Sequence, residues 1–371
     1  MLDYKETLRF LTEIPSIAGC EKYAAEKIRA QFGGLFDEIT TDAARNIILV
    51  KKSKKITENA PRILLDAHFD EIGMLVSGFT DEGFLRVMPV GGVDRGLLPA
   101  SEAWVYTGEH LEEKIYGVFT AIPPHLVTPE NNKVPEWSDL LLDIGYTKEE
   151  AQKRIEIGAP VGYYYAGDEL LNGRITGRGF DDKSCAAGLI CAAAAVPAEE
   201  LAYDVYVTLS AGEEVGARGA ACAAWTIQPE FAVVTDVNFA LTPGVGGTEG
   251  GKLGGGPMIS LSAVTDRKLT KKILAMAAAY DVPTTSVVEA TSTGTNASCV
   301  VYVREGIPTA VVSIPLAGMH SYNELLQLED ADNFVKLIGE IIRGVDRELP
   351  VKEKKDEDAS GEAKKEEGAD K

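Results

Sequence analysis

Arg62-Ile63-Leu64-Leu65-Asp66-Ala67-His68-Phe69-Asp70-Glu71 decides the fold class, because a run of strand length gives way at its end to an imidazole and two carboxylates. The same design recurs further on. Val205 to Ser210 leads through Ala211-Gly212 into Glu213-Glu214, Ala232-Val-Val-Thr235 leads into Asp236, and the run from Ala310 to Met319 leads into His320-Ser321. Gly179-Phe180 leads into Asp181-Asp182 at the start of an apolar helix. Open α/β sheets place their ligands beyond the carboxyl ends of their strands, which is where these polar residues fall. Taken singly, each segment also reads as a capped loop or a helix N-cap. Together they read differently: the chain has only 4 His, and two of them stand at such strand ends beside three acidic clusters. Two imidazoles and several carboxylates suit a pair of divalent metals sharing one carboxylate.

Outward from these segments the chain keeps an α/β rhythm at both ends. Helical spacing over 3–12 and 20–32 precedes strands at Asn46 to Val50 and Arg62 to Ala67. After Gly179 come an Ala-rich helix at 183–197, a strand at 203–210, a helix at 217–226, a strand at 231–236, a helix at 266–280 and a strand at 308–314. Between them, short alternating runs such as Leu85-Arg86-Val87 and Ala103-Trp104-Val105, broken by Gly-Gly and Pro-Pro, predict a β-rich insert with one short helix near 147–157. The expected architecture is a single α/β domain formed by 1–72 plus 166–348, interrupted by a small β-rich domain over 73–165. Residues 349–371 form a charged tail too polar to bury anything, expected to be disordered.

Composition narrows the function classes. With 37 basic and 57 acidic side chains the net charge is −20, which argues against nucleic acid and anionic membranes as partners. Charges scattered through Met1 to Pro15 leave no secretory h-region, and the longest apolar run, Ala186 to Val196, is far short of the roughly 20 residues of a membrane span. The 5 Cys include no Cys-x-x-Cys pair and read as reduced, buried thiols of a cytoplasmic protein. Gly246 to Lys252 matches most of a P-loop, but Leu253 stands where Mg²⁺ would need a hydroxyl, and Ile259 and Leu261 continue as a strand. Asn172-Gly173 predicts a hairpin turn.

The segments His68-Phe-Asp70-Glu71-Ile-Gly73, Phe180-Asp181-Asp182-Lys183, Glu213-Glu214-Val-Gly216-Ala-Arg-Gly219-Ala and Met319-His320-Ser321 stand in the order found in M42-family metallo-aminopeptidases, which the chain resembles throughout 1–348. The resemblance implies two divalent ions per subunit, zinc or cobalt, with His68 and Asp236 on one, Glu214 and His320 on the other, and Asp181 bridging. It implies Glu213 as general acid/base, with Asp70 behind His68. It further implies an α/β, mixed-sheet dimetal peptidase domain with an inserted small β-barrel, PDZ-like domain, peptide substrates, and a homo-oligomeric shell of twelve subunits with inward-facing sites. Three positions depart from the family pattern: Asn296, where Asp is common; Lys183, where Arg is usual; and Leu316-Ala-Gly-Met319, where an Arg-Tyr pair usually precedes the His.

The expected reaction is hydrolytic removal of N-terminal residues. Adjacent side chains on extended backbone point apart, so Glu214 can bind metal while Glu213 faces the water. Two other readings compete. A catalytically silent, metal-binding shell would accommodate the three departures. An endoglucanase-type glycoside hydrolase needs only two carboxylates about 5–9.5 Å apart, but 3 Trp offer little sugar stacking and the strand-end His residues go unexplained.

Overall fold

The apolar runs that end in acids and His become the parallel centre of one sheet. The computed structural model describes residues 2–128, 133–164, 167–245 and 250–350. Its largest sheet has eight strands in the order β1 (Glu38–Thr41), β2 (Ile47–Lys51), β12 (Asp204–Ser210), β3 (Arg62–His68), β13 (Phe231–Phe239), β16 (Thr309–Leu316), β14 (Met258–Ser262) and β15 (Thr285–Glu289). β12, β3, β13 and β16 run parallel, so all four end at one edge of the sheet. Their register pairs Ser210 with His68 and Asp236 with Ser313. Both faces of these strands are covered, which is why they lack the alternation of a half-exposed strand: every residue of β16 is buried, and in β3 only Arg62 is exposed.

One face carries α1 (Tyr4–Thr12), α4 (Phe180–Ala195), α6 (Arg267–Ala279) and α8 (Leu328–Arg343), whose apolar residues join the sheet in the main core. The other face carries α5 (Gly219–Ile227) and the short α7 (Ala297–Val300), while α2 (Ala25–Phe32) adds Ile28 and Phe32 to the main core. Small side chains let α4 lie deep between sheet and α8. A Cβ on Gly188 would fall 2.6 Å from the ring of Phe334. The predicted elements over 183–197, 217–226 and 266–280 are thus present with shifted ends. The helix expected over 20–32 instead opens with a 3-10 turn, Glu21–Ala24.

The insert closes into a barrel of β4 (Gly73–Phe79), β5 (Leu85–Val90), β8 (Leu141–Asp143), β7 (Glu113–Phe119), β6 (Glu102–Thr107) and β9 (Pro160–Tyr163), in that order. Its own core includes Met74, Val87, Val105, Phe119 and Leu142. The short helix α3 (Lys148–Arg154) starts with a capping box between Thr147 and Glu150. A third, three-stranded sheet joins β10 (Asp168–Leu170), β11 (Arg174–Gly177) and β17 (Glu324–Gln327). The β10–β11 turn uses Asn172 and Gly173, both at positive φ, as the sequence predicts.

All five Cys are free, but only Cys185 and Cys191 are buried. Cys222 is exposed, since α5 buries its other face on the sheet. No helix among the described residues is long and apolar enough to cross a membrane. Residues 246–249 of the P-loop-like segment and 351–371 of the tail lie outside the described residues.

Candidate metal and catalytic centre

Four of the carboxylates and both strand-end imidazoles meet at the carboxyl edge of the sheet. His68, the last residue of β3, has Nε2 2.9 Å from Asp181 Oδ1 and 3.6 Å from Asp236 Oδ1. Its Nδ1 donates to the backbone carbonyl of Asp70 at 2.9 Å, which can only accept, so the ring is held with Nε2 facing the carboxylates. The Asp70 carboxylate lies 3.8 Å from that ring. Asp70 thus lies behind His68, and it is its carbonyl that makes the hydrogen bond to the ring. The carboxylate instead accepts the backbone N–H of Glu213 at 3.0 Å and of Glu214 at 3.1 Å.

Those two glutamates follow β12 in a bend and turn rather than on extended backbone, so their divergence arises from the turn that Asp70 grips. Glu214 Oε1 and Asp181 Oδ2 lie 3.4 Å and 3.2 Å from His320 Nε2. Each oxygen of Asp181 thus faces a different imidazole. The donor set fits divalent ions: ligand atoms of His68, Asp181 and Glu214 lie within 4.8 Å of one another, as do those of His68, Asp182 and Asp236. Asp182, fully buried, was not assigned a role from sequence.

The charges are arranged under tension. Burial raises Asp236 to about 6 and Glu213 to about 8. Burial likewise opposes ionisation of Asp181, yet hydrogen bonds from His320 and His68 hold its carboxyl below the ordinary range. Asp181 and Glu214 in turn raise His320 to about 10.

Sequence reasoning also missed Glu324. The first residue of β17, it pairs in register with Gly177 and is 2% exposed. Its Oε2 accepts the N–H of Phe180 at 2.7 Å and of Asp181 at 3.3 Å, and its Oε1 accepts the N–H of His320 at 3.1 Å. Gly179, the N-cap of α4, has no capping side chain, so Glu324 caps the helix from 144 residues away. A residue with no apolar run before it gives no local signal of this role.

Two of the departures have visible consequences. Asn296 donates from Nδ2 to Asp66 Oδ2 and to Ser210 Oγ, both at 2.9 Å, beneath the cluster. Lys183, fully buried, donates to the carbonyl of Ile14 at 3.0 Å and lies 3.3 Å from Glu71. Glu71 also binds Arg178 at 2.6 Å, and Arg178 reaches the hydroxyl of Tyr106 on β6, tying the barrel to the centre. Nothing in the structure explains the composition of Leu316 to Met319. Against the centre lies a small cavity of about 10 Å³ lined by Ile72, Tyr163, Asp181, Glu214, His320 and Glu324 among others. The barrel approaches here so closely that a Cβ on Gly92 would fall 2.7 Å from His320 Nδ1.

Comparison with known proteins gives a consistent picture. The profile of a family described as M42 glutamyl aminopeptidase matches residues 45–337. A lysyl aminopeptidase of Pyrococcus furiosus is 32% identical over 345 residues, covering 91% of this chain and 96% of the relative. An aminopeptidase from the archaeon Desulfurococcus kamchatkensis superposes with a TM-score of 0.84 at 29% identity, covering 92% of this chain and 94% of that one. A TET1 peptidase of Pyrococcus horikoshii, described as assembling into a tetrahedron or a large octahedral shell, gives a TM-score of 0.80 at 32% identity, covering 92% and 99%.

Proposed function

The chain belongs to the M42 aminopeptidase family and is an enzyme of the metallo-aminopeptidase class, and from that premise we propose that it removes N-terminal residues from short peptides using two divalent ions. His68 and Asp236 would hold one ion, Glu214 and His320 the other, with Asp181 between them. The observation that carries this reading is the division of Asp181, whose Oδ1 faces His68 and whose Oδ2 faces His320. Zinc and cobalt both suit such imidazole and carboxylate donors. When bound, the ions supply Lewis-acid polarisation of the scissile carbonyl and lower the pKa of water.

Glu213 takes the proton of the attacking water and passes it to the leaving amine. Burial supports that role, because a carboxyl raised to about 8 accepts and releases a proton near neutral pH more evenly than an ordinary glutamate. Asp70 fixes the turn that carries both Glu213 and Glu214. The cluster of acids favours a substrate with a free, cationic α-amine. The residues 1–72 plus 166–348 form the catalytic unit in this reading, and the barrel over 73–165 serves assembly into a dodecameric shell in the cytoplasm; assembly into a tetrahedron or a large octahedral shell is described for the Pyrococcus horikoshii TET1 peptidase.

Turnover of an aminoacyl-anilide panel, with added Zn²⁺ or Co²⁺ and with chelator, tests the proposal. A decapeptide in free and N-acetylated forms extends it: stepwise loss from the free peptide alone is expected. Internal cleavage, processing of the acetylated form, or full activity in chelator would refute it, and a metal-loaded chain inert to every substrate would be a silent shell.

A further inference from the structure

The barrel contributes a side chain to the catalytic cavity. β9 ends at Tyr163, paired through β6 at Ala103, and its ring is 4% exposed. The hydroxyl is buried without a hydrogen-bond partner, and among the described residues it is the one such hydroxyl that lines the cavity with Asp181, Glu214 and His320. Leaving a buried hydroxyl unpaired is unfavourable unless a ligand completes it. The barrel's other buried tyrosine at this junction, Tyr106, has its partner in Arg178.

The chemistry of the wall says what that ligand atom is. Asp181, Glu214 and Glu324 can only accept hydrogen bonds when ionised, and Ile72 offers none. The His320 ring already faces two carboxylates, and the Ser321 hydroxyl spends its proton on the carbonyl of Gly318 at 2.7 Å. The α-ammonium of a substrate is served by the acids. What the wall lacks is a donor for an oxygen that gains negative charge, and Tyr163 is a neutral donor that burial keeps protonated. We infer that the Tyr163 hydroxyl donates a hydrogen bond to the oxygen of the scissile carbonyl as that carbon becomes tetrahedral, which makes the barrel part of the active site as well as of the assembly. The inference rests on the aminopeptidase reading. In the step concerned, water oxygen bonds to the carbonyl carbon and the π pair moves to the carbonyl oxygen. The water proton goes to Glu213, then to the amine as the C–N bond breaks. Tyr163 keeps its own proton throughout.

The test is Tyr163→Phe in the full-length, metal-loaded chain, assayed on an aminoacyl-anilide that the unaltered chain turns over. Loss of one oxyanion donor lowers kcat by about 10²-fold in comparable sites, so a fall in kcat of at least about tenfold is expected, with KM and metal content unchanged. An aminoacyl phosphonate, which mimics the tetrahedral oxygen, should lose affinity by a similar factor while the product amino acid does not. A kcat within about twofold, or an effect confined to KM, would overturn the inference. If the Phe variant melts at a lower temperature, a fluorinated tyrosine at 163 replaces it: the alkaline fall in kcat should then move down with the phenol pKa, and an unmoved profile overturns the inference. An unaltered chain that hydrolyses none of the panel refutes the parent reading, whereas equal activity of both chains refutes this one alone.

Discussion

Replacing Glu324 by Gln should weaken metal binding at a position that touches no ion. The carboxylate meets three N–H groups, at 2.7, 3.3 and 3.1 Å, on the two segments that carry Asp181 and His320. Burial and the neighbouring Asp181 push its pKa well up. All three partners are donors, however, so only the anion satisfies them; a protonated acid, like Gln, sets a donor against a donor. Gln has one oxygen. It can keep the Phe180 and Asp181 side or the His320 side, but not both, so at least one charge-assisted bond worth about 1.5–3 kcal/mol is lost. At about 1.4 kcal/mol per tenfold, a loss felt wholly at the site corresponds to roughly 10–100-fold weaker metal binding, the range usual for removing such supporting groups. Competition against a chromogenic chelator measures it, and the melting temperature should also fall by a few degrees. Glu324→Asp, which keeps both oxygens one methylene further back, should lie between. Metal affinity within about twofold and an unchanged melting temperature in Glu324→Gln would show that the three contacts do not hold the centre together.

Glu213→Gln should lower kcat by about 10²–10⁴-fold with metal content intact, whereas Asp181→Ala should lose both ions; equal metal loss in the two variants, read by elemental analysis, would contradict the roles given to them. Asp66, raised by burial from 3.8 to about 7, keeps in the folded state a proton that the unfolded chain has released, so stability falls as pH rises between those values, by up to about 4 kcal/mol. Melting of Asp66→Asn against the unaltered chain should therefore show the variant gaining ground from pH 4 to pH 7, and a constant difference would rule the buried acid out as the cause. Light scattering of the intact chain at micromolar concentration should report a large closed assembly, and a monomer would sink the shell.

The residues that were legible in the sequence are those whose role follows from their own neighbours. β3, β12, β13 and β16 announce themselves as unbroken apolar runs because both faces are covered, and the parallel arrangement then puts their ends on one edge. α8 was readable but unread: Ala331, Phe334, Leu337, Ile338, Ile341 and Ile342, all buried, recur at helical spacing. Asp70 was legible in position and not in atoms, since spacing cannot say whether a side chain or a carbonyl meets the ring. Glu324 and Tyr163 were not legible. Glu324 acts on backbone amides 143 and 144 residues away, and Tyr163 belongs to a barrel strand whose docking no local pattern encodes.

The supporting contacts also explain why the centre should respond as a unit. The Asp70 carbonyl holds His68, and the Asp70 carboxylate holds the turn of Glu213 and Glu214. Glu324 holds Asp181 and His320. Glu71 accepts the N–H of Ser16 at 3.1 Å and pairs with Arg178 and Lys183, and Arg178 carries the connection to Tyr106 in the barrel. Most of these bonds end on backbone amides or carbonyls, which cannot swing away as a side chain can. Moving one candidate ligand therefore moves a loop, and each loop carries a second ligand or its support. In such a frame the carboxylates cannot relieve their mutual repulsion by separating. Proton or cation binding is the relief available to them, so metal binding and folding stability are linked, and ions that prefer this fixed spacing stabilise the folded chain more the tighter they bind.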